Sequence, residues 1–309
     1  MNKNEWIPLH ARHFQINSVL ERKRNFPLRN RNKIDDLIKE FLDNLGNDIH
    51  YMICDYDVEA EDYDGLDSDR NTEAEVETAI RFFPNVLTRR KEVTWWYIDD
   101  DEDDDDEDDE DGELLYPIQL LPCYCDADEN WKCNVKAVSF VPTLAKLAIE
   151  FGSFEEEERG GLLCQDYDGG DNILQELMYG DHIEGEHRGY YEHAVDDVYL
   201  QVLIKLRKMD LLKKEDILRF VLLPKLCEHY YYFSEKRFRF LVEWNPTALT
   251  QPCFGYLPLH RVTNNPSIRR FQLLLEYGIR YFPEKKGVFY CEENQMFYKN
   301  YYHRHRRQW

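Results

Sequence analysis

Apolar residues recur at helical intervals over much of the chain. In KIDDLIKEFLDNL (33–45), Ile34, Leu37, Ile38, Phe41, Leu42 and Leu45 share the 3.6-residue spacing of one helix face. Gly46 follows as the expected C-cap, so the spacing predicts an amphipathic helix that stops there. Residues 55–72 (DYDVEAEDYDGLDSDRNT) are acidic and turn-rich and read as a loop. Helical spacing resumes over Glu73–Phe83, and a carboxylate run then interrupts between WWYI (95–98) and LLYPIQLL (114–121). Another helix is predicted from Pro142, suited to a first helical position, through Leu144, Leu147 and Ile149 to Gly152. A polar, glycine-containing stretch spans 153–192. Two helical segments follow, 195–209 and 215–229, with Pro224 expected to kink or end the second. No run of alternating residues stands out as strand, and the chain reads as mostly α.

The chain also resembles itself. KRFRFLVEWN (236–245) and RRFQLLLEYG (269–278) align Arg237 with Arg270, Phe238 with Phe271, Leu241 with Leu274, Glu243 with Glu276 and Trp244 with Tyr277, each pair 33 residues apart. Between them lies GYLPLHRV (255–262), with Gly255, Pro258, Leu259 and His260. This period and phrase resemble the ankyrin repeat and its G-x-T-P-L-H-x-A signature, with Leu257 in place of Thr and Val262 in place of Ala. The register continues through Leu273, Leu274 and Leu275 to Gly278, then Ile279 where the family favours Ala. The resemblance implies that Pro258 starts a first helix, His260 bonds within its turn and Leu259 enters the core. It also implies that the leucine run packs a second helix and that Gly278 takes the left-handed turn ending it.

More diverged copies lie upstream. FFPNVLT (82–88) matches WNPTALT (244–250) through Pro84 and Pro246, and each precedes a proline-led helix start, at Pro117 and at Pro258. Pro84 to Pro117 is 33 residues and Pro246 to Pro258 is 12, so the first connection carries 21 extra residues, the acidic run among them. LAKLAIEFG (144–152), ending in Gly152, resembles FQLLLEYG, and DNILQELMYG (171–180) reads as a worn first helix. WIPLHA (6–11) is similar to the signature but has no partner phrase. The expected fold is therefore an all-α, ankyrin-like helical-repeat solenoid with long insertions and a disordered acidic loop. It is similar in style to the degenerate ankyrin-like proteins of diatom-type algae. Its parts are an N-terminal helical segment with an acidic loop (1–70), repeats over 71–288 with insertions at 89–115 and 153–192, and a basic tail (289–309). Resemblance is fullest over 236–283, weaker over 73–180 and poor before 70.

Charge sharpens this outline. The 309 residues hold 39 Lys+Arg against 61 Asp+Glu, a formal net of −22. Thirteen consecutive carboxylates account for most of it: Asp99, Asp100, Asp101, Glu102, Asp103, Asp104, Asp105, Asp106, Glu107, Asp108, Asp109, Glu110 and Asp111. Taking these and Glu113 from the net of −22 leaves −8, ordinary for a chain of this size. A hydrophobic fraction of 43% with 14% aromatics supplies a sizeable core and argues against global disorder. No apolar window is long enough for a transmembrane helix and MNKNEWIPLHARHF lacks a secretory core, so a cytoplasmic or nuclear setting with reduced thiols is expected. Net negative charge disfavours nucleic acid and anionic lipid as partners. Arg304, Arg306 and Arg307 make the tail basic; it is read as solvated, with phosphate binding or nuclear addressing as the alternative.

Catalytic and metal motifs are weak. Cys123, Cys125 and Cys133 lack a fourth thiolate and the usual spacing of a structural zinc site, so reduced, semi-buried cysteines are the better reading. Segments 61–71 and 166–172 look like calcium loops but misplace the required ligands. His10 with His13, and His303 with His305, lack the glutamate of a metalloprotease helix, and RGG (159–161) is too short to cradle phosphate. No metal, cofactor, small-molecule substrate or catalytic residue is assigned.

The expectation is a non-catalytic protein–protein interaction module or scaffold. The acidic run is either a solubilising spacer or, by its place at the finger between repeat helices, an arm that attracts basic segments of other proteins. In the second case the protein is a chaperone-like factor for histones or other basic proteins. Trp95 and Trp96 serve as contact anchors or as core. An enzyme with its site in 153–192 is the alternative from another class.

Overall fold

The computed structural model describes residues 28–55, 63–93, 113–125, 131–165, 170–180, 188–228, 233–253, 255–262 and 268–284. The chain is mostly helical. It divides into two compact units, Met1–Ile49 and His50–Trp309. The first unit holds most of helix α1 (Leu28–Cys54), which runs through Gly46 instead of stopping there. An interior glycine costs a helix only about 1 kcal/mol. The apolar spacing continues from Leu45 to Ile49 and Ile53, both buried, and that burial offsets the glycine. On the same helix Leu37, Phe41 and Leu42 are exposed.

The longer helices of the second unit are α2 (Glu73–Phe82), α3 (Val141–Glu150), α5 (Arg188–Lys208), α8 (Glu235–Trp244) and α10 (Ile268–Tyr281). α2 lies on α3, α3 on α5 and α5 on α8. Side-chain bonds give directions. Glu77 reaches Lys146 and Arg81 reaches Glu150, so α2 and α3 run side by side in the same sense. Glu235 bonds Arg269 and Glu243 bonds Tyr277, both 34 residues on, so α8 and α10 do the same. Of the short helices, α4 (Ile173–Glu176) packs on α7 (Leu222–Glu228), and α7 on α9 (Pro258–Arg261).

Two stretches follow the same order of backbone events. α2 ends in Phe83 (φ −132°, ψ 63°) and α8 in Asn245 (φ −136°, ψ 84°), because the following proline disfavours helical geometry in the residue before it. Each N–H still bonds back four residues, Phe83 to Ala79 and Asn245 to Leu241. Proline then opens a 3₁₀ turn, Pro84–Leu87 or Pro246–Thr250, that buries two apolar residues. Seven residues after each proline the chain meets itself: Lys91 pairs with Leu115, and Cys253 pairs with Tyr256. Two residues beyond those partners, Pro117 and Pro258 begin buried single-turn helices. α10 ends similarly at Phe282 before Pro283.

Three single-turn helices share a cap. The N–H of Tyr116 bonds Gln119 Oε1 at 2.9 Å, that of Asn172 bonds Gln175 Oε1 at 3.1 Å, and that of Leu257 bonds His260 Nδ1 at 3.3 Å. Each side chain satisfies an amide at the helix entrance that no helical carbonyl can reach.

Three local expectations change. α10 continues through Gly278 to Tyr281, so Gly278 sits buried inside the helix and Pro283 sets its end. The segment 215–229 breaks at Val221 (φ 47°) into α6 (Asp216–Arg219) and α7, and Pro224 is accommodated in the first turn of α7. Two short hairpins are also present. β1 (Lys91–Val93) pairs with β2 (Glu113–Leu115), and β3 (Cys123–Cys125) with β4 (Trp131–Cys133). Three-residue strands are too short for alternation to announce. Pro142 and Gly152 behave as read, at the start of α3 and in a left-handed turn (φ 62°) after it.

Candidate interaction surface at the acidic hairpin

The hairpin carrying the acidic run is anchored at its base. Val93 and Leu115 are buried against Cys54 of α1 and Leu120, while Glu92 and Leu114 on the other face are exposed. Val93 pairs with Glu113, the last described rung on either side of 94–112. Trp95, Trp96 and Asp99–Asp111 lie outside the described residues.

Cations gather at the start of β1. Arg90 donates to Tyr116 Oη at 2.8 Å and lies 4.4 Å from the centre of that ring, which stacks edge-on against Phe154. Lys91 stands 5.3 Å over the Tyr51 ring. His50 Nε2 donates to the Arg89 carbonyl at 2.9 Å. Burial holds the His50 pKa below the usual histidine value, and the nearby Arg89 and Lys91 charges add to that, against the opposing effect of the carbonyl bond. The basic triplet 89–91 was not singled out in the sequence; its proximity to the carboxylate run is the signal that marks it.

The residues assigned to repeat structure fall into defined places. Pro84, Pro117, Pro246 and Pro258 open turns, and Phe238, Leu241, Leu259 and Leu274 are core. Phe271 is half-buried and Gly255 is left-handed (φ 81°) in the Cys253–Tyr256 turn. Phe238 meets Tyr277 edge-on at 5.6 Å, joining α8 to α10.

Other polar clusters serve the scaffold. Asp67, in the first calcium-like loop, accepts the Asp69 N–H at 2.9 Å and pairs with Arg70 and Lys136. In the glycine stretch, Arg159 grips Asp216 with two nitrogens and donates to the Leu211 carbonyl at 3.0 Å. Gly160 (φ 67°) lies against α3, where a Cβ would meet the Ala145 carbonyl oxygen at 2.3 Å, so close packing accounts for that glycine. Within 153–192, Tyr179 donates to Asp171 at 2.7 Å and Lys225 pairs with the same carboxylate. Cys123 and Cys133 stand opposite one another across β3 and β4.

A buried ion pair joins three elements. Arg237 of α8 donates from Nε to Asp196 of α5 at 3.0 Å and from a terminal nitrogen to the carbonyls of Leu177 and Tyr179 at 2.6 and 2.8 Å. Asp196 also accepts the Lys236 N–H at 2.9 Å, at the entrance to α8. Among the described residues, no helix is long and apolar enough to cross a membrane and no cluster of His, Cys, Asp and Glu is arranged to hold a metal ion. No protein-family model, curated protein or solved structure matches the chain.

Proposed function

We propose that this chain is a non-catalytic protein-interaction module of ankyrin-like, helical-repeat type, and that its hairpin presents Asp99–Asp111 to a basic segment of a partner protein. The observation that carries the reading is the common position of the Lys91–Leu115 and Cys253–Tyr256 pairs. It supports placing the acidic run at the tip of a finger between one helical unit and the next, on an anchored base. The like-directed pairs α2 with α3 and α8 with α10, and the 34-residue offset within the second pair, support the repeat reading. Thirteen adjacent carboxylates act on a Lys/Arg-rich segment chiefly by accelerating encounter, an effect that salt screens within about 8–10 Å. Exposed Leu114 and Glu92 flank the same hairpin.

The test replaces Asp99–Asp111 with a Gly/Ser segment of equal length. Binding of a lysine- and arginine-rich peptide, such as a histone tail, is then measured by anisotropy from low to physiological salt. The native chain is expected to bind with an association rate that falls steeply with salt, and the replaced chain to lose that dependence. Equal binding by the two chains at low salt would overturn the reading.

A further inference from the structure

Strands β3 and β4 place Cys123 directly opposite Cys133. One rung further out, the N–H of Asn134 donates to the Pro122 carbonyl at 2.8 Å. Hydrogen-bonded and non-hydrogen-bonded rungs alternate along an antiparallel ladder. The Pro122–Asn134 rung is hydrogen-bonded, so the cysteine rung is the other kind. In rungs of that kind the Cα atoms lie about 4.5 Å apart, and the two side chains share one face of the hairpin. That separation falls inside the range of about 4.4–6.8 Å that a disulfide spans without backbone movement. Both residues are buried, Cys123 at 6% exposure and Cys133 at 2%, which admits a small oxidant and excludes a bulky one.

We propose that Cys123 and Cys133 form a two-electron thiol-oxidation site, closed by hydrogen peroxide into a cross-strand disulfide. Cys123, the more accessible, attacks one peroxide oxygen as its thiolate; the O–O bond breaks, water leaves and a sulfenic acid remains. The Cys133 thiolate attacks that sulfur, the S–O bond breaks and a second water departs. Two thiols and one peroxide thus give one disulfide and two waters, and a dithiol reductant reverses the step by becoming a disulfide itself. The bond staples the connection into α3: the Pro122 carbonyl on this hairpin accepts the Tyr199 hydroxyl of α5, and Asn134 Oδ1 accepts the Ala137 N–H at 3.0 Å.

The experiment treats the reduced full-length chain with hydrogen peroxide, quenches with iodoacetamide and maps tryptic peptides without reduction. In an aliquot taken before alkylation an intact-mass loss of about 2 Da is expected, and the map shows Cys133-Asn134-Val135-Lys136 linked to the peptide containing Cys123 and Cys125. The link persists in Cys125→Ser, and disappears in Cys123→Ser and in Cys133→Ser. Absence of the mass loss overturns the proposal, as does a link that survives Cys123→Ser and vanishes in Cys125→Ser. Performing the oxidation in urea separates folding from intrinsic reactivity: linkage there must spread to other cysteines, and an unchanged pattern also overturns the assignment.

Discussion

The α2–Pro84 and α8–Pro246 stretches share a helix, a bent residue, a proline turn and a paired rung before the next helix start. They differ in what hangs from the rung. Two residues, 254 and 255, close the second; 23 residues, 92–114, lie inside the first. The added chain thus enters beyond a closure that already exists. Two further rungs, to Val93 and Glu113, hold it. A scaffold of this kind accepts a long polyanion because loop-closure cost grows only logarithmically with length. The helix supports differ too. Arg237, nine residues before Pro246, is buried and paired with Asp196, whereas Glu75, nine before Pro84, is exposed in a capping box with Thr72.

This difference can be broken from its strongest side. Arg237→Ala leaves Asp196 buried without its cation and is expected to destabilise by about 3–5 kcal/mol in urea denaturation. Hydrogen exchange should accelerate in α8 before α2; equal acceleration in both would erase the asymmetry. A 21-residue Gly/Ser segment inserted between residues 254 and 255 makes the second rung resemble the first. By loop-closure entropy it should cost about 2 kcal/mol and leave the chain folded. Loss of folding would show that the two rungs are not equivalent.

The smallest effect concerns the caps. Gln119 does not titrate, but His260 accepts the Leu257 N–H only when neutral, and burial lowers its pKa from the ordinary histidine value. The unfolded state therefore binds protons more readily. The stabilisation is present above the unfolded pKa of about 6.5 and is lost as pH falls through the lower folded value. His50, also lowered, acts with the same sign. His260→Gln should flatten part of the acid-side decline while holding the cap to within about 1 kcal/mol, as read from urea midpoints between pH 7.5 and 5. An unaltered pH profile would remove His260 from the account.

Much of the helical content was legible because amphipathic spacing and proline act locally. α2 and α3 were read within a residue or two, and the matched FFPNVLT and WNPTALT phrases adopt matching backbones. Glycine misled where neighbours outvoted it: Gly46 and Gly278 lie inside helices because the flanking residues continue to pack. The break at Val221 is not legible in the sequence because a left-handed valine has no local signature. At the candidate site, the carboxylates announce themselves by number, and the strands that hold them are too short to announce anything.

By itself the sequence determined where the charge lies, which prolines stop which helices and that the chain would be mostly helical. Each is a matter of neighbouring residues and needs no distant partner. Only the tertiary structure decided that Lys91 meets Leu115 as Cys253 meets Tyr256, that Arg237 finds Asp196, and that Cys123 faces Cys133. Such pairings depend on the register of packed elements. In strands of three residues the hydrophobic pattern is too short to fix the register from sequence, and the Arg237–Asp196 pair depends on how two distant helices pack.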